Sequence, residues 1–488
     1  MNKKPALVFY SQLKFRDIEL DLVKHIKKNK EYFTIFVVNT KETQTFYQKN
    51  FPNSADKIFI YFNENELLEK KISKKIIIEK AVALEKKMGM TINRAFLLDR
   101  TIGRGFHASG GFNHPKVRLA EKSPEDIIKI AIGYIEFWDN IFKKYNVKLA
   151  MNLPQIGMRV SKTHNILTKN LAIAKFGRRL YWTSNVNYEP DNLIEFYNRN
   201  KKKNLKQFIP KEPQFNHLVL RGSDIKGFEF FNTVKVSSIT LLQRVYGYLK
   251  GYRKSKNIHA FSEFRYIWRK RRDFISLRKN VDINLQDLEK SDIKYIYFPL
   301  ATEPEVAMHS LAEDFFFQLS AINMLSRDLP ANYKIIVKEH LFAVGRRPDN
   351  FYKQIKELKN VLMSDPLEYG ISYLKRAQAV ALVVGTSGWE AAAMGVPVIT
   401  FTKHNSYNFL EHVFTVRDPD DTKEILNKIC HNKFPTKKSI RDGAKMHDSY
   451  LNLSFDFEKA EPFQNWNTKK NNNYTSNFIS NIYKKLKL

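Results

Sequence analysis

Two short runs constrain this chain more than anything else in it. Val380–Val384 and Val396–Thr400 contain no charged residue and show no polar alternation. A strand that is apolar on both faces must sit inside a sheet covered on both sides, as in parallel sheets whose crossover helices pack above and below. The runs belong to a longer alternation. Tyr295–Leu300, Lys334–Val337, Val361–Met363, Ala379–Val384 and Val396–Phe401 read as strands. Helical patterns at His309–Arg327, Asn350–Leu358, Leu367–Ala377 and Trp389–Met394 fall between or beside them. Strands alternating with helices predict a doubly wound α/β domain over 291–430.

The same alternation occupies 1–190. Its expected strands are Ala6–Ser11, Thr34–Val38, Ile58–Phe62, Ala95–Asp99, Lys148–Leu153 and Leu180–Thr183. The clearest helix is Glu125–Tyr145, because Ser123 can cap it, Pro124 suits its first position, and Glu125 and Asp126 complement its positive end. Between the two domains, 191–290 is basic, aromatic and weakly periodic. From Leu242 to Asn280 twelve cations stand against Glu263 and Asp273, with eight aromatic residues interleaved. Such a segment is either a solvated helical connector or a surface that rests on anionic lipid, through 242–280. The tail, 431–488, is expected to be helical, with a last helix at Ser476–Leu486. The expected fold class is therefore α/β: two Rossmann-like doubly wound domains and a basic helical connecting region.

Composition narrows the company such a protein keeps. Lys and Arg total 82 against 50 Asp and Glu, a formal charge of +32, which favours anionic partners. Nucleic acid is not expected among them, since helix-turn-helix, zinc-finger and RNP-like patterns are lacking. Cys430 is the single cysteine, so neither an intrachain disulfide nor a Cys-based zinc cluster can form. No apolar stretch is long enough to span a bilayer. The run Ala6–Tyr10 is too short for a signal peptide and reads as a first buried strand. A cytoplasmic protein is expected, peripheral on the inner face of the membrane.

Chemistry is concentrated at strand ends. Val383-Val384-Gly385-Thr386-Ser387-Gly388-Trp389-Glu390-Ala391 takes a buried strand through two glycines and two hydroxyls into a helix. A helix start presents unpaired N–H groups and partial positive charge, a natural seat for phosphate. Thr386, Ser387 and Gly388 would contact it, and Glu390, one turn in, would accept from a sugar hydroxyl. An ordinary capped βα turn uses the same residue types. Val337-Lys338-Glu339-His340 ends a neighbouring strand, and in open α/β sheets ligands sit beyond these carboxyl ends. Lys338 offers a point charge and His340 a hydrogen-bond donor; Arg346 and Arg347 follow in the next loop. A surface ion pair is the alternative for Lys338 and its neighbours. Tyr297 to Glu305 is a third strand end, where Glu303 and Glu305 are candidate acids, bases or hydroxyl binders.

In the N-terminal domain the polar strand end is Leu97 to Gly105, continuing to His107, Gly110, Gly111 and His114. Asp99 is the candidate general base here. Arg100, Arg104 and His107 suit an acidic or phosphorylated acceptor. A salt bridge between Asp99 and Arg100 that ties down the loop is the alternative. No dinucleotide or P-loop glycine pattern and no metal-ligand set is present, and Asp418-Pro419-Asp420-Asp421 reads as a turn and helix cap.

Taken in order, Phe298-Pro299-Leu300, Pro304-Glu305, Gln318, Leu329-Pro330, Val337-Lys338-Glu339-His340, Gly385 to Ala391 and Gly395-Val396-Pro397-Val398 form a series. It resembles the C-terminal half of bacterial capsule polysaccharide biosynthesis proteins. Those are Kdo-transferase-like GT-B glycosyltransferases, some of which transfer Kdo from its CMP-activated form. The resemblance covers roughly Tyr295–Phe401; the N-terminal half matches loosely, through the Asp99-Arg100 loop and Ala174–Thr183. This chain departs from the family at Leu300-Ala301-Thr302-Glu303, often His-containing, and at Leu341, where a Pro often follows the His.

The resemblance implies a glycosyltransferase of capsule or lipopolysaccharide-type surface polysaccharide, moving Kdo or a related ulosonic acid from a nucleotide-sugar donor to a glycan or lipid-linked glycan acceptor. It places phosphate on Lys338, His340, Thr386 and Ser387, and ribose or base on Glu390. Asp99 and its loop would face the acceptor, and no metal or other cofactor is expected. Polyol-phosphate transfer and nucleotide-sugar epimerisation on the same fold are the alternatives.

Overall fold

The computed structural model describes residues 2–11, 15–29, 32–61, 64–96, 123–177, 179–202, 204–210, 225–249, 260–302, 308, 311–312, 315 and 317–456. The chain forms two compact units. The first gathers the described residues of 1–96, 122–200 and 449–488, and the second those of 201–448.

The first unit is built on seven strands, β1 (Asn2–Tyr10), β2 (Phe33–Val38), β3 (Lys57–Ile60), β4 (Tyr145–Met151), β5 (Leu167–Ile173), β6 (Arg179–Thr183) and β13 (Phe455–Asp456). Their order is β13-β6-β5-β4-β1-β2-β3. The five strands from β5 to β3 run parallel, and β6 and β13 close one edge antiparallel. β1 lies in the middle, so Ala6, Leu7, Val8 and Phe9 are all buried, as a strand covered on both faces requires. The helix Pro124–Lys144 starts as its sequence predicts: the Ser123 hydroxyl accepts from the Asp126 N–H at 3.1 Å, with Pro124 in the first turn. Trp138 anchors that helix in the core.

Two strands lack a sequence signal of their own. β5 contains Lys169 and Asn170, which break an apolar reading, yet Asn170 is buried and ties its side-chain amide to both backbone groups of Leu153. β13 returns the chain from the tail to the first sheet, where Arg179 holds it through Ser454 at 2.7 Å and Asp456 at 3.2 Å. The strand expected over Ala95–Asp99 does not start there; Ile92–Ala95 is instead a short helix capped by Thr91, because the Thr91 hydroxyl takes the Arg94 N–H. Residues 97–99 lie outside the described residues, as does Ser476–Leu486.

The second unit carries six parallel strands, β7 (Lys294–Pro299), β8 (Tyr333–Lys338), β9 (Val361–Met363), β10 (Ala379–Leu382), β11 (Val398–Thr400) and β12 (Val413–Thr415). Their order is β12-β11-β10-β7-β8-β9. The chain starts at β7, builds outward to β9, then restarts on the other side at β10. This reversal creates a crevice between the carboxyl ends of β7 and β10, the switch point of doubly wound sheets. β10 and β11 are buried throughout, as their charge-free sequences require. The expected helix His309–Arg327 is, among the described residues, regular only over Gln318–Asp328.

The described residues of 230–279, part of the 191–290 connector that the sequence sets apart, fold within the second unit. Two helices, Phe230–Leu249 and Ala260–Lys279, pack on each other. Phe228 stacks on Phe274 at 4.0 Å, and Leu277 enters the core of the second sheet. Among the described residues no helix is long and apolar enough to cross a membrane.

Candidate functional site

The strand ends of the second sheet carry the polar groups, and they divide into two kinds. At β8 the groups are already paired. Glu339 is 1% exposed, and its carboxylate accepts two bonds from Arg347, at 2.7 and 2.8 Å. It also takes the Tyr352 hydroxyl at 2.8 Å and the His340 N–H at 2.6 Å. Arg347, equally buried, donates a further bond to the Ala301 carbonyl at 2.8 Å. Gln318 completes that clamp, accepting from the Ala301 N–H and donating to its carbonyl. This bidentate knot fixes the loops after β7 and β8 to each other.

The knot also decides which cations can face a ligand. Arg347, placed by its sequence position near an anion site, is consumed by Glu339. Arg346 donates to the Tyr266 hydroxyl at 3.0 Å. Lys338 is half-buried, its ammonium on the carbonyls of Pro366 at 3.1 Å and Glu339 at 3.3 Å. His340 stands at the loop start with its ring stacked on Phe342. Its Nδ1 accepts the Phe342 N–H at 3.3 Å, which leaves the proton of a neutral ring on Nε2. Burial of the imidazole, the largest cause, pushes the His340 pKa down to about 4. Lys338, Arg347 and Arg346 add to that push and Glu339 opposes it. His340 is thus a neutral hydrogen-bond donor at pH 7.

At β10 the groups await partners. The chain leaves the strand through Gly385, whose φ of 153° and ψ of 167° lie in a region open essentially to glycine alone. The helix Thr386–Met394 follows at once, and no side chain caps it. Thr40, Ser73, Thr91, Ser123 and Asn284 cap other helices, whereas Gln155–Thr163, Gln318–Asp328 and Asp421–His431 are among those that likewise lack a side-chain cap, so it is the position of this one, at the switch point after Gly385, that sets it apart. With glycine at the cap, the first N–H groups of the helix have no side-chain acceptor. Thr386 is exposed and Ser387 half-buried, and neither hydroxyl has a hydrogen-bond partner among the described residues. Gly388 serves packing. A Cβ there would lie 2.2 Å from the Tyr407 hydroxyl and 2.7 Å from Leu382, so its absence lets the helix close onto β10.

Glu390 lies one turn further, on the helix face of Thr386. Its carboxylate is half-buried, and that burial alone raises its pKa to about 7. No hydrogen bond or ion pair holds it among the described residues. β8 and β10 both pair with β7, so their carboxyl ends lie about two strand spacings apart, roughly 10 Å. The uncapped helix, two hydroxyls, a neutral imidazole donor, a lysine and a partnerless carboxylate therefore share one edge of one sheet.

Asp99, Arg100, Arg104, His107, Glu303 and Glu305 lie outside the described residues. Asp418-Pro419-Asp420-Asp421 is the turn and helix start its sequence predicts: Asp421 accepts the N–H groups of Arg417 and Asp418. The Glu339–Arg347–Tyr352 knot has no counterpart among the sequence expectations. Its members are eight and five residues apart in sequence with no periodic relation, and only the loop's fold joins them.

No family model matches the chain, and no curated protein matches it in sequence. Solved structures similar to it include KpsC of Thermosulfurimonas dismutans, a beta Kdo 2,7 transferase. That likeness has 13% identity and a TM-score of 0.35, covering 70% of this chain and 85% of that one. UDP-GlcNAc 2-epimerase from Neisseria meningitidis bound to UDP-GlcNAc is 12% identical with a TM-score of 0.28, over 99% of both chains. A glycosyl transferase family 9 structure from Veillonella parvula is 10% identical with a TM-score of 0.22, covering 92% of this chain and 97% of that one.

Proposed function

We propose that the second unit binds the phosphate of a nucleotide sugar at the Gly385 turn, and that the protein is a glycosyltransferase of surface polysaccharide biosynthesis. The observation that carries this reading is the uncapped helix Thr386–Met394 at the switch point of a doubly wound sheet. Its free N–H groups, with the Thr386 and Ser387 hydroxyls, would take the phosphate oxygens. His340 would donate from Nε2 and Lys338 would supply a full positive charge. Glu390, ionising near neutrality, would accept from a ribose hydroxyl or base edge.

Transfer breaks the bond between the sugar's anomeric carbon and the leaving phosphate oxygen while the acceptor hydroxyl attacks. Charge grows on the phosphate as that bond breaks. Donors already aimed at the site stabilise it without reorganisation, which is the main source of catalysis in such chemistry. The proposed mechanism assigns that role to the helix end, Lys338 and His340, with no metal. One of Asp99, Glu303 and Glu305 would take the acceptor's proton, and Arg100, Arg104 and His107 would hold an acidic glycan or lipid-linked glycan. The series of motifs shared with capsule polysaccharide proteins supports Kdo or a related ulosonic acid, carried on CMP, as the sugar.

Incubating the protein with CMP-, UDP- and GDP-sugars and following nucleotide release with and without an oligosaccharide acceptor tests this. Acceptor-dependent release of one nucleotide is expected. Conversion of the sugar without any nucleotide release would replace transfer with epimerisation.

A further inference from the structure

The helix Phe230–Leu249 is turned inside out for a protein in water. Among its described side chains only Thr233 and Ser237 are buried. Their hydroxyls are satisfied within the chain, Thr233 on the Glu229 carbonyl at 2.8 Å and Ser237 on the Thr233 carbonyl at 2.6 Å. The large apolar residues point the other way. Phe231 is 85% exposed, Leu242 68% and Leu249 75%, with Val245 and Tyr246 beside them. At 100° per residue Phe231, Ser238, Leu242, Val245 and Leu249 fall on one stripe running the length of the helix. Soluble surface helices place such a stripe inward, and a contiguous exposed one marks an interaction site.

Charge says what covers it. Residues 230–249 contain no Asp or Glu, and Lys235 is the cation on the exposed stripe. Among the described exposed charged side chains from Lys226 to Lys279, six are cationic and Glu229 alone is acidic. The neighbouring basic helix is mostly occupied with structure: Arg269 holds the Arg347 carbonyl, Arg271 the Phe228 carbonyl and Arg278 the Asp365 carboxylate. Its cations alone do not form the docking surface. An apolar stripe that carries Lys235 and no acidic residue matches a helix lying in the plane of an anionic bilayer, its apolar side among the acyl chains and Lys235 reaching to the headgroups.

We propose that the helix Phe230–Leu249 docks this protein onto an anionic phospholipid surface, with Phe231, Leu242, Val245 and Leu249 inserted. The proposal stands apart from the sugar site, and its test needs no substrate. The full-length chain is sedimented with vesicles of phosphatidylcholine alone or with about a quarter phosphatidylglycerol, a composition that attracts basic surfaces. Binding is expected to the anionic vesicles, weaker to the neutral ones, and only partly reversed by salt. Removing one buried leucine lowers partition roughly tenfold, so Leu242→Ser with Leu249→Ser should lower it about 100-fold. Both side chains are exposed, so the melting temperature should not move. Ile209→Ser, an exposed apolar residue outside this helix, should leave partition unchanged.

Three outcomes overturn the proposal. They are no sedimentation with anionic vesicles, equal partition for the double variant, and a lipid-free dimer by light scattering that the double variant splits, which would make a second copy the occupant.

Discussion

The two sheets of this protein share a topology and differ in the side chains placed just beyond their central strands. In each, the chain starts in the middle, builds to one side and restarts on the other. In the first unit the ends of β1 and β4 close on themselves. Ser11, just past β1, donates to Glu19 at 2.8 Å and meets the Tyr47 hydroxyl at 2.5 Å. Asn152, just past β4, donates to the other Glu19 oxygen at 2.6 Å. All four side chains are buried. In the second unit β8 ends in a comparable sealed knot, whereas β10 ends in a helix without a side-chain cap, whose polar groups have no partner among the described residues. A shared topology thus supplies the place for a ligand. The side chains after each strand decide whether that place is used for building or left open for binding.

The comparison breaks most visibly at its sealed ends. Glu339→Ala would leave the Arg347 charge buried without its carboxylate, a change that costs about 3–5 kcal/mol. Chemical denaturation of the variant should show the second unit unfolding early. Glu19→Ala removes charge-assisted hydrogen bonds from Ser11 and Asn152 and should cost about 1.5–3 kcal/mol. Equal stability for either variant and the parent would show that these knots do not hold their loops.

At the open end the expectation reverses. Thr386→Val with Ser387→Ala removes hydroxyls that hold nothing among the described residues, so melting should be unchanged. Each lost contact to a charged phosphate should weaken nucleotide binding by about 1.5–3 kcal/mol, roughly 10- to 150-fold. A large loss of stability would place those hydroxyls in the sealed class instead.

Glu390 sharpens the contrast through pH. Its folded pKa, about 7, lies above the ordinary carboxylate value of 4.5. Between those values the folded state binds the extra proton, so stability falls as pH rises from 4.5 to 7 and the whole cost is present above 7. Glu390→Gln should therefore stabilise the ligand-free protein by about 1–3 kcal/mol at pH 8 and hardly at all near pH 4.5. A pH-independent effect would deny the burial of that carboxylate. The smallest effect belongs to His340→Gln, which keeps a neutral donor: nucleotide affinity should fall by less than about tenfold, and His340→Ala should cost more. Because the His340 pKa is held well below its usual value, binding should show no histidine-like inflection near pH 6.5 from this group.

Much of this is legible in the sequence wherever one signal dominates. The strands β10 and β11 and the start of the helix after Ser123 are as their residues predict, because burial on both faces and a cap each leave a local mark. β5 is not legible: Asn170 looks like a loop residue until Leu153 is seen to need its amide. The Glu339 knot is equally hidden, since nothing in the spacing of Glu339, Arg347 and Tyr352 marks them as partners. The Gly385 turn stands between. Its glycines and hydroxyls are plain, but the absence of a side-chain cap on the helix that follows, and its place at the switch point of the sheet, show only in the fold.

The central claim is that the open end of β10 holds a nucleotide phosphate. The most direct measurement is the melting temperature of the full-length protein with CMP, UDP, GDP or no nucleotide, run beside the Thr386→Val, Ser387→Ala double variant. A nucleotide at about 100 times its dissociation constant adds about 2.7 kcal/mol, a readily seen rise. The account predicts that rise for one nucleotide in the parent and its loss in the double variant, with both proteins melting alike when free. A rise that survives in the double variant, or no rise with any nucleotide, contradicts it.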